Sequence, residues 1–297
     1  ESIEDACADA DVVVCCAGVA SLVPMVRSAL AAAGPDCVVT DVGSTKAELV
    51  EAIGGDERFI GGHPLAGAET AGVANARADL FEGARWYLTP APSCSGVLYD
   101  RLQRLIAGIG ARPVAIEPVE HDRAMAVVSH LPHVFANQLA VQGRPGSERL
   151  GAVAPSLRDA TRVAGSNPPV WGEILATNHE AVLEAIHESI AGLQRAAEVI
   201  ESADPEKIAA WQAEAAHERS ALSEVETDAG ATHQLRVLVP NRPGILAELA
   251  LALGKAGVNI TDMSLEPAPD MSSGAISLWV AGDGEADKAV DCISELG

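Results

Sequence analysis

Short apolar runs alternate with helical patterns over the first 117 residues. Runs bounded by glycine, proline and charged residues predict buried strands at 11–17, 37–42, 58–62, 85–91 and 112–116. Apolar residues at helical spacing predict helices at 19–34, 44–54 and 95–110. Ser44 is the expected N-cap of the second helix. Alternation of this kind is typical of a doubly wound α/β domain with a mainly parallel sheet.

The pattern changes twice further along the chain. Residues 118–222 are helical throughout, residues 223–232 read as a polar linker, and residues 233–297 read as strand, helix, strand, strand, helix. This last order is one strand short of a ferredoxin-like fold. The sequence therefore predicts an α/β domain (1–117), an all-α domain (118–222) and a small α+β domain (233–297).

In doubly wound sheets, ligands bind outside the carboxyl ends of the strands. Those ends are predicted at 17–19, 41–45 and 61–64. A dinucleotide-binding sheet normally opens with a strand, a G-x-G-x-x-G turn and a later acidic residue. This sequence opens with the tail of a helix and lacks that turn; roughly 60 residues would be needed to supply it. Either the sequence is a fragment, or the sheet is an incomplete nucleotide domain.

Composition excludes several classes of protein. No apolar run is long enough to cross a bilayer, and no secretory signal is evident at the N-terminus. The formal net charge of −22 argues against nucleic acid or anionic membrane partners. The six cysteines show no metal or disulfide spacing, which favours reduced thiols in the cytoplasm.

Two histidine-containing stretches could carry chemistry. In "GGHP" the glycines permit close approach at a strand end, and Pro64 holds His63 extended. The alternative is an ordinary loop histidine with one hydrogen bond. In "EHDRAMAVVSHLPH" the residues His130 and His133 lie three apart on a helix, and Pro132 should kink it. No further ligands are spaced for a metal, so no metal site is predicted.

Together, "DVGSTK", "GGHPLAGAE", "HDRAMAVVSHLPH" and "RDATRVAGSNPPVW" resemble, in that order, the prephenate/arogenate dehydrogenases of tyrosine biosynthesis. The tail "VPNRPGILAELALALGKAGVNI" resembles an ACT domain, an amino-acid-sensing module. The resemblance implies a Rossmann-like domain, a helical dimerisation domain and NAD or NADP as cofactor. It implies oxidative decarboxylation of prephenate or arogenate by a homodimer, with an aromatic amino acid as effector. Neither the choice of cofactor nor that of substrate can be read from the residues.

The resemblance also implies roles for individual residues. His63 would accept the proton of the substrate C4 hydroxyl, and Ser44 would help to orient it. The substrate-binding residues would be His133, Arg162, Trp171, Glu69, Asp159 and His130, with Arg162 on the ring carboxylate. The cofactor would contact Gly18, Val19, Asp41 and Gly43. The effector would contact Asn241, Gly244 and Ile245, because "PNRPGI" opens a helix whose N-terminus suits a carboxylate. Asn259, at the start of the next predicted strand, would hold the amino group with its side-chain oxygen.

Two other functions are compatible with the same elements. The first is another hydroxyacid dehydrogenase of Rossmann type, although those rely on a catalytic lysine and no lysine lies between Lys46 and Lys207. The second is a catalytically silent amino-acid-binding regulator, favoured by the missing glycine-rich turn.

Overall fold

The structure is a computed structural model that describes residues 2–66, 75–228, 232–240, 249, 252–253, 256, 258, 260–267, 273–281 and 283–295. It divides into two compact units, residues 1–194 and 195–297. In the described part of the chain, no helix is long and apolar enough to cross a membrane.

A five-stranded sheet forms the first half of the first unit. Its strands, in spatial order, are β1 (Val12–Cys15), β2 (Val38–Asp41), β3 (Phe59–Pro64), β4 (Arg85–Pro90) and β5 (Arg112–Ala115). All neighbouring pairs are parallel except β3 and β4, which are antiparallel, with His63 opposite Tyr87. The prediction of a mainly parallel sheet is confirmed.

Helices pack on both faces of this sheet. They are α1 (Ile3–Cys7), α2 (Val19–Ala32), α3 (Ala47–Ile53) and α4 (Gly96–Gly108). Adjacent strand residues point to opposite faces. Val39 therefore packs with Leu22 of α2 and Leu49 of α3, whereas Val38 packs with Leu102 of α4. These two apolar layers hold the strands in place and therefore determine where the residues that follow each strand lie.

The N-cap position of α3 lies two residues after the predicted one, Ser44. Lys46 occupies the N-cap position and supplies no side-chain cap. Instead, the distant carboxylate of Asp122 accepts hydrogen bonds from the N–H groups of Lys46 (2.8 Å to Oδ1) and Ala47 (2.8 Å to Oδ2). The prediction of Ser44 as the N-cap is therefore wrong, because a tertiary acceptor takes over the free N–H groups of the first turn.

The second half of the first unit is helical, as predicted. The helices are α5 (Pro118–Met125), α6 (Leu131–Leu150), α7 (Pro155–Ala160), α8 (Pro168–Thr177) and α9 (His179–Glu201). A π-helical segment, Ala126–His130, joins α5 to α6, and the N–H of Leu131 donates to the carbonyl of Ala126. Pro132 follows in the first turn of α6, directly after the π-helical segment. The irregularity expected at Pro132 thus takes the form of a π-helical turn.

The second unit contains α10 (Pro205–Asp228), β6 (Thr232–Pro240), β7 (Ile260–Pro267), β8 (Ser273–Ala281) and α11 (Asp283–Glu295). The α10 helix continues past residue 223, where the linker was predicted to begin. The strands form an antiparallel sheet in the order β6–β8–β7. Its core includes Leu249, Leu253, Ile276, Leu278 and Ala289. The three strands and the C-terminal helix agree with the prediction for the tail, whereas most of the helix predicted between β6 and β7 lies outside the described residues.

Candidate active site

A cavity of about 390 Å³ opens beside the carboxyl ends of the parallel strands. Parallel pairing of β1 with β2 and of β2 with β3 brings the three predicted strand ends to one edge of the sheet. Residues from α5, from the π-helical segment and from α8 complete the walls. The lining residues are Ser44, His63, Pro64, Leu65, Ala66, Met125, Ser129, His130, Trp171 and Ile174.

Two glycines allow β3 to place His63 against its neighbours. A Cβ on Gly62 would lie 2.5 Å from the carbonyl oxygen of Asp41, and a Cβ on Gly61 would lie 2.3 Å from Oγ1 of Thr89. Real Cβ atoms do not approach other atoms so closely. The close approach holds His63 in a fixed position, with 6% of its surface exposed.

A buried ion pair locks the turn between β2 and α3 to β3. The Nζ of Lys46 donates to the carboxylate of Asp41 and, at 2.8 Å, to the carbonyl of Gly62. The same carboxylate accepts the N–H groups of Gly43 (2.8 Å) and Gly62 (3.0 Å). Burial lowers the pKa of Lys46, and Asp41 opposes that shift. The pair therefore fixes the end of β2, the turn before α3 and Gly62, the residue that precedes His63.

His63 forms the end of a chain of three buried side chains. Its Nδ1 lies 2.9 Å from Nε2 of His121, and Nδ1 of His121 lies 2.8 Å from Oδ1 of Asp122. The two imidazole rings meet edge to face at 76°. Tyr87 packs edge-on against His121 from β4. With Nδ1 of His63 occupied, Nε2 is the ring nitrogen available to a ligand in the cavity.

A second histidine of the cavity, His130, accepts a hydrogen bond at Nδ1. The amide nitrogen of Asn178 donates to Nδ1 of His130 (3.1 Å) and to the backbone carbonyl of Asp122 (2.7 Å). Because Nδ1 of His130 accepts, its ring proton belongs on Nε2. The ring of Trp171 lies edge-on to His130 and stacks on His133, with centroids 3.5 Å apart.

Both cavity histidines are neutral near pH 7. Burial, assisted by the charges of His121, Lys46 and His130, lowers the pKa of His63 to about 3. Burial also lowers the pKa of His130 to about 4, against the opposing effect of Asp122. The pKa of His133 is lowered too, first by burial and also by the charge of Arg162. A neutral imidazole can accept a proton or donate one from its single N–H group.

The predicted site residues fall into three groups. Ser44, His63, His130 and Trp171 line the cavity, and His133 contacts it through Trp171. Arg162 and Asp159 are exposed near the end of α7, outside this lining. Four effector residues and one substrate residue lie outside the described residues: Asn241, Gly244, Ile245, Asn259 and Glu69.

The predicted cofactor residues also differ in accessibility. Gly18 is exposed and Val19 half-buried at the start of α2, whereas Gly43 is buried. Asp41 is fully buried, and its carboxylate is engaged by Lys46, Gly43 and Gly62. The side chain therefore organises the turn beneath the site, and a contact between Asp41 and the cofactor stays a prediction.

Sequence reasoning gave no role to four residues that build the site: Lys46, His121, Asp122 and Asn178. Lys46 belongs to the motif "DVGSTK", and His121 and Asp122 belong to "HDRAMAVVSHLPH". The His121–Asp122 dipeptide was the available signal. Two polar side chains that become buried need hydrogen-bond partners, so such a dipeptide in a buried helix indicates a hydrogen-bonded site. Asn178 carried no signal, since its partners lie 48 and 56 residues away.

Comparison with known proteins identifies this arrangement. Residues 1–115 match the family profile described as prephenate dehydrogenase, nucleotide-binding domain, and residues 117–214 match prephenate dehydrogenase, dimerization domain. The chain is 31% identical to a prephenate dehydrogenase of Bacillus subtilis over 87% of its own length and 72% of the relative's. The chain belongs to the prephenate dehydrogenase family. Residues 233–289 match the ACT domain profile.

Two further relatives are consistent with this membership. A cyclohexadienyl dehydrogenase of Zymomonas mobilis is 32% identical over 69% of this chain and 72% of the relative. The crystal structure of prephenate dehydrogenase from A. aeolicus, in complex with hydroxyphenyl propionate and NAD+, superposes with a TM-score of 0.69. That structure is 29% identical, and the match covers 74% of this chain and 80% of that one.

Family membership confirms several predictions made from the sequence. The chain is an oxidoreductase of the prephenate dehydrogenase family, with a Rossmann-like nucleotide-binding domain, a helical dimerisation domain and an ACT domain. Its cofactor is a nicotinamide dinucleotide, NAD or NADP, and the family reaction is the oxidative decarboxylation of prephenate or arogenate.

Proposed function

We propose that His63 is the general base of this reaction in the present chain, acting on prephenate or arogenate. The observation that carries the proposal is the position of its ring: it lines the cavity, is held at Nδ1 by His121, and offers Nε2 to the substrate. Its pKa of about 3 keeps it neutral at physiological pH. A rigid, neutral imidazole at a strand end suits proton abstraction.

The proton and electron balance gives each residue its task. The bound nicotinamide supplies the hydride acceptor. His63 takes the proton of the C4 hydroxyl while the hydrogen on C4 leaves with its electron pair, so C4 becomes a carbonyl. The ring carboxylate then leaves as carbon dioxide, and its bonding electrons make the ring aromatic. His63 returns the proton to the resulting phenolate oxygen.

The other cavity residues bind and orient the substrate. Ser44 lies half-buried beside His63 and can hydrogen-bond the reacting hydroxyl, whereas His130 can donate from Nε2. Trp171 provides a flat apolar wall against the ring. We assign the ring carboxylate to Arg162, whose charge already acts on the neighbouring His133. Asp159 and Glu69 keep their proposed part in an ionic network with Arg162. Gly18 and Val19 at the start of α2 are the proposed cofactor contacts.

Replacement of the base tests the proposal. His63→Asn in the full-length protein should lower kcat for prephenate and arogenate by roughly 10²–10⁴-fold with little change in melting temperature. The matched control is His187→Asn, because His187 is an exposed histidine on α9. NADH or NADPH formation is followed with each substrate. A His63→Asn enzyme within a few-fold of the wild type would refute the assignment. An inactive wild type would favour the silent regulator.

Lys46 argues against the alternative hydroxyacid dehydrogenase. Such enzymes use a lysine as the catalytic acid or base, as noted from the sequence. Lys46 is fully buried, and its Nζ is engaged by Asp41 and Gly62. It is therefore not offered to a substrate in the cavity.

We propose further that the chain forms a homodimer through an apolar groove between α6 and α9. The groove has a volume of about 580 Å³, and its walls include Val134, Phe135, Ile190 and Leu193. Val141 on its rim is 73% exposed. Contiguous exposed apolar surface of this kind marks an interface. Both walls of the groove lie within the matched dimerization domain.

The oligomeric state tests this interface. Val141→Glu should convert the dimer to a monomer in sedimentation velocity, because a carboxylate would be buried without a partner. The matched control is Val97→Glu, since Val97 is 74% exposed on α4, away from the groove. A wild-type monomer, or a Val141→Glu dimer of unchanged affinity, would contradict the proposal.

We propose that residues 233–297 bind an aromatic amino acid, with tyrosine as the first candidate. Support comes from the match to the ACT domain and from the β6–β8–β7 sheet with α11 packed on it. Tyrosine and phenylalanine should inhibit the full-length protein, and deletion of residues 233–297 should abolish the inhibition. Inhibition that persists undiminished after deletion would place the sensor in the catalytic cavity.

We also propose a cytoplasmic location. All six cysteines fall within the described residues, and each is a free thiol. Thiols are kept reduced in the cytoplasm. Thiol titration of protein from cell fractions tests this: six reactive thiols after unfolding are expected, and recovery of disulfide-bonded protein would contradict it.

A further inference from the structure

The carboxylate of Asp122 has more than one partner. Its two oxygens accept the N–H groups of Lys46 and Ala47, and Oδ1 also faces Nδ1 of His121. The two side chains are 5% and 1% exposed. A carboxylate offers only acceptors, so the proton in this contact belongs to Nδ1 of His121. With its single ring proton on Nδ1, His121 has a lone pair on Nε2, which faces His63.

This arrangement determines where His63 carries its own proton. With Nε2 of His121 as acceptor, Nδ1 of His63 is the donor across the 2.9 Å contact. We propose that Asp122, acting through His121, is a positioning residue that keeps the proton of His63 on Nδ1 and its lone pair on Nε2. The proposal rests on the proposed role of His63 as the base.

Other groups around His63 do not compete for this proton. Lys46 directs its Nζ to Asp41 and to the carbonyl of Gly62. His130 is occupied at Nδ1 by Asn178. Tyr87 contacts His121 through its ring. Among the described residues, Asp122 is thus the one carboxylate hydrogen-bonded to either ring of the pair.

The pair also prepares the site for the charge that develops during the reaction. When His63 takes the substrate proton it becomes an imidazolium, whose Nδ1–H still donates to His121. The anionic Asp122 stabilises that cation through His121 in a buried setting, where electrostatic interactions are strong. In other enzymes with a carboxylate behind a catalytic histidine, changing it to an amide lowers kcat by about 10⁴-fold, because the wrong tautomer is favoured.

The first test reads the proton position without turnover. Long-range ¹H–¹⁵N spectra of histidine-labelled full-length protein, assigned with His63→Asn, should show His63 as the Nδ1–H tautomer. In Asp122→Asn the amide can donate to His121, so His63 should change to Nε2–H. The Asn oxygen can still accept N–H groups from α3. A wild-type Nε2–H tautomer, or no change in Asp122→Asn, would overturn the proposal.

Kinetics provide the second test. Asp122→Asn should lower kcat by roughly 10²–10⁴-fold and leave KM within a few-fold. The matched control is Glu117→Gln, because the Glu117 side chain caps α5 through Val119 and Glu120, whereas its carbonyl accepts the N–H of His121 in a backbone hydrogen bond that the substitution retains. A control that loses as much activity would show an effect of capping alone and would contradict the proposal.

Substitution of His121 separates positioning from packing. His121→Gln leaves an acceptor close to the place of Nε2, whereas His121→Leu leaves none. The Gln variant should retain at least tenfold more kcat than the Leu variant at similar melting temperature. Equal losses would refute the proposal. If His63→Asn itself retained full activity, the base assignment would fail. The tautomer spectra would still decide whether Asp122 determines which ring nitrogen of His63 carries the proton.

Discussion

Asp41 and Lys46 form an ion pair in which both side chains are completely buried. The pair joins the end of β2 to the first turn of α3 and, through the carbonyl and N–H of Gly62, to β3. The cost of removing two charges from water is offset only when further hydrogen bonds accompany their mutual attraction. Here the carboxylate has three partners and the ammonium has two.

Removing one member of this pair should be strongly destabilising. We expect Lys46→Met to lower the free energy of unfolding by about 3–5 kcal/mol, because Asp41 is left buried and unpaired. Urea unfolding measures this. The control is Arg144→Met, which breaks the exposed Arg144–Glu148 pair and should cost less than about 0.5 kcal/mol. If the two variants are equally stable, the buried pair does not stabilise the fold.

Gly62 should tolerate no side chain. The Cβ of Gly62→Ala would lie 2.5 Å from the Asp41 carbonyl oxygen and 2.8 Å from Oγ1 of Thr40, so β3 must shift. We expect a loss of about 1–3 kcal/mol in stability and a fall in kcat from displacement of His63. Gly34→Ala is the control, since nothing lies within 4 Å of its Cβ. Full activity of Gly62→Ala would show that β3 can move without consequence.

Stability should fall as the pH is lowered from 7 to 4. The pKa values of His63 and His130 are about 3 and about 4 in the folded protein, compared with about 6.5 when unfolded. The unfolded chain therefore binds more protons in this window, so the stabilisation is complete above pH 6.5 and is lost progressively below it. Urea midpoints at pH 7 and pH 5 measure the slope. His63→Asn should flatten it and His187→Asn should not; the reverse order would contradict the assignment.

Arg162→Gln should affect binding more than turnover. If Arg162 holds the ring carboxylate, it contacts the substrate in both the ground state and the transition state, so KM should rise by about tenfold or more while kcat changes less. The control is Arg158→Gln, which changes an exposed arginine on α7. An unchanged KM would restrict Arg162 to a structural role beside His133.

Strand positions could be predicted from the sequence because buried strands form short apolar runs. Strand direction could not: β3 is buried along its whole length and β4 consists of buried and half-buried positions, so neither run distinguishes antiparallel from parallel pairing. The cap of α3 was mispredicted for a related reason. Ser44 obeys the local rule, yet Asp122 supplies the acceptor from 76 residues away.

The candidate site divides in the same way. His63 could be found because glycine and proline on either side restrict its backbone, and Trp171 and His130 because their motifs resemble a family. His121 could not be assigned, since its partner His63 is 58 residues distant and meets it only in the folded chain. Burial of Asp41 likewise depends on packing between α2, α3 and β3, which spacing alone does not reveal.

The carboxylate of Asp122 both caps the N-terminus of α3 and contacts His121, which contacts His63. Fraying of the first turn of α3 would withdraw two of the contacts that hold Asp122. If Asp122 positions His63 as we propose, local opening and activity are thermodynamically linked, and molecules with a frayed turn should be temporarily inactive although otherwise folded. Hydrogen exchange at the amide of Ala47 would then report the fraction of enzyme that is ready to react.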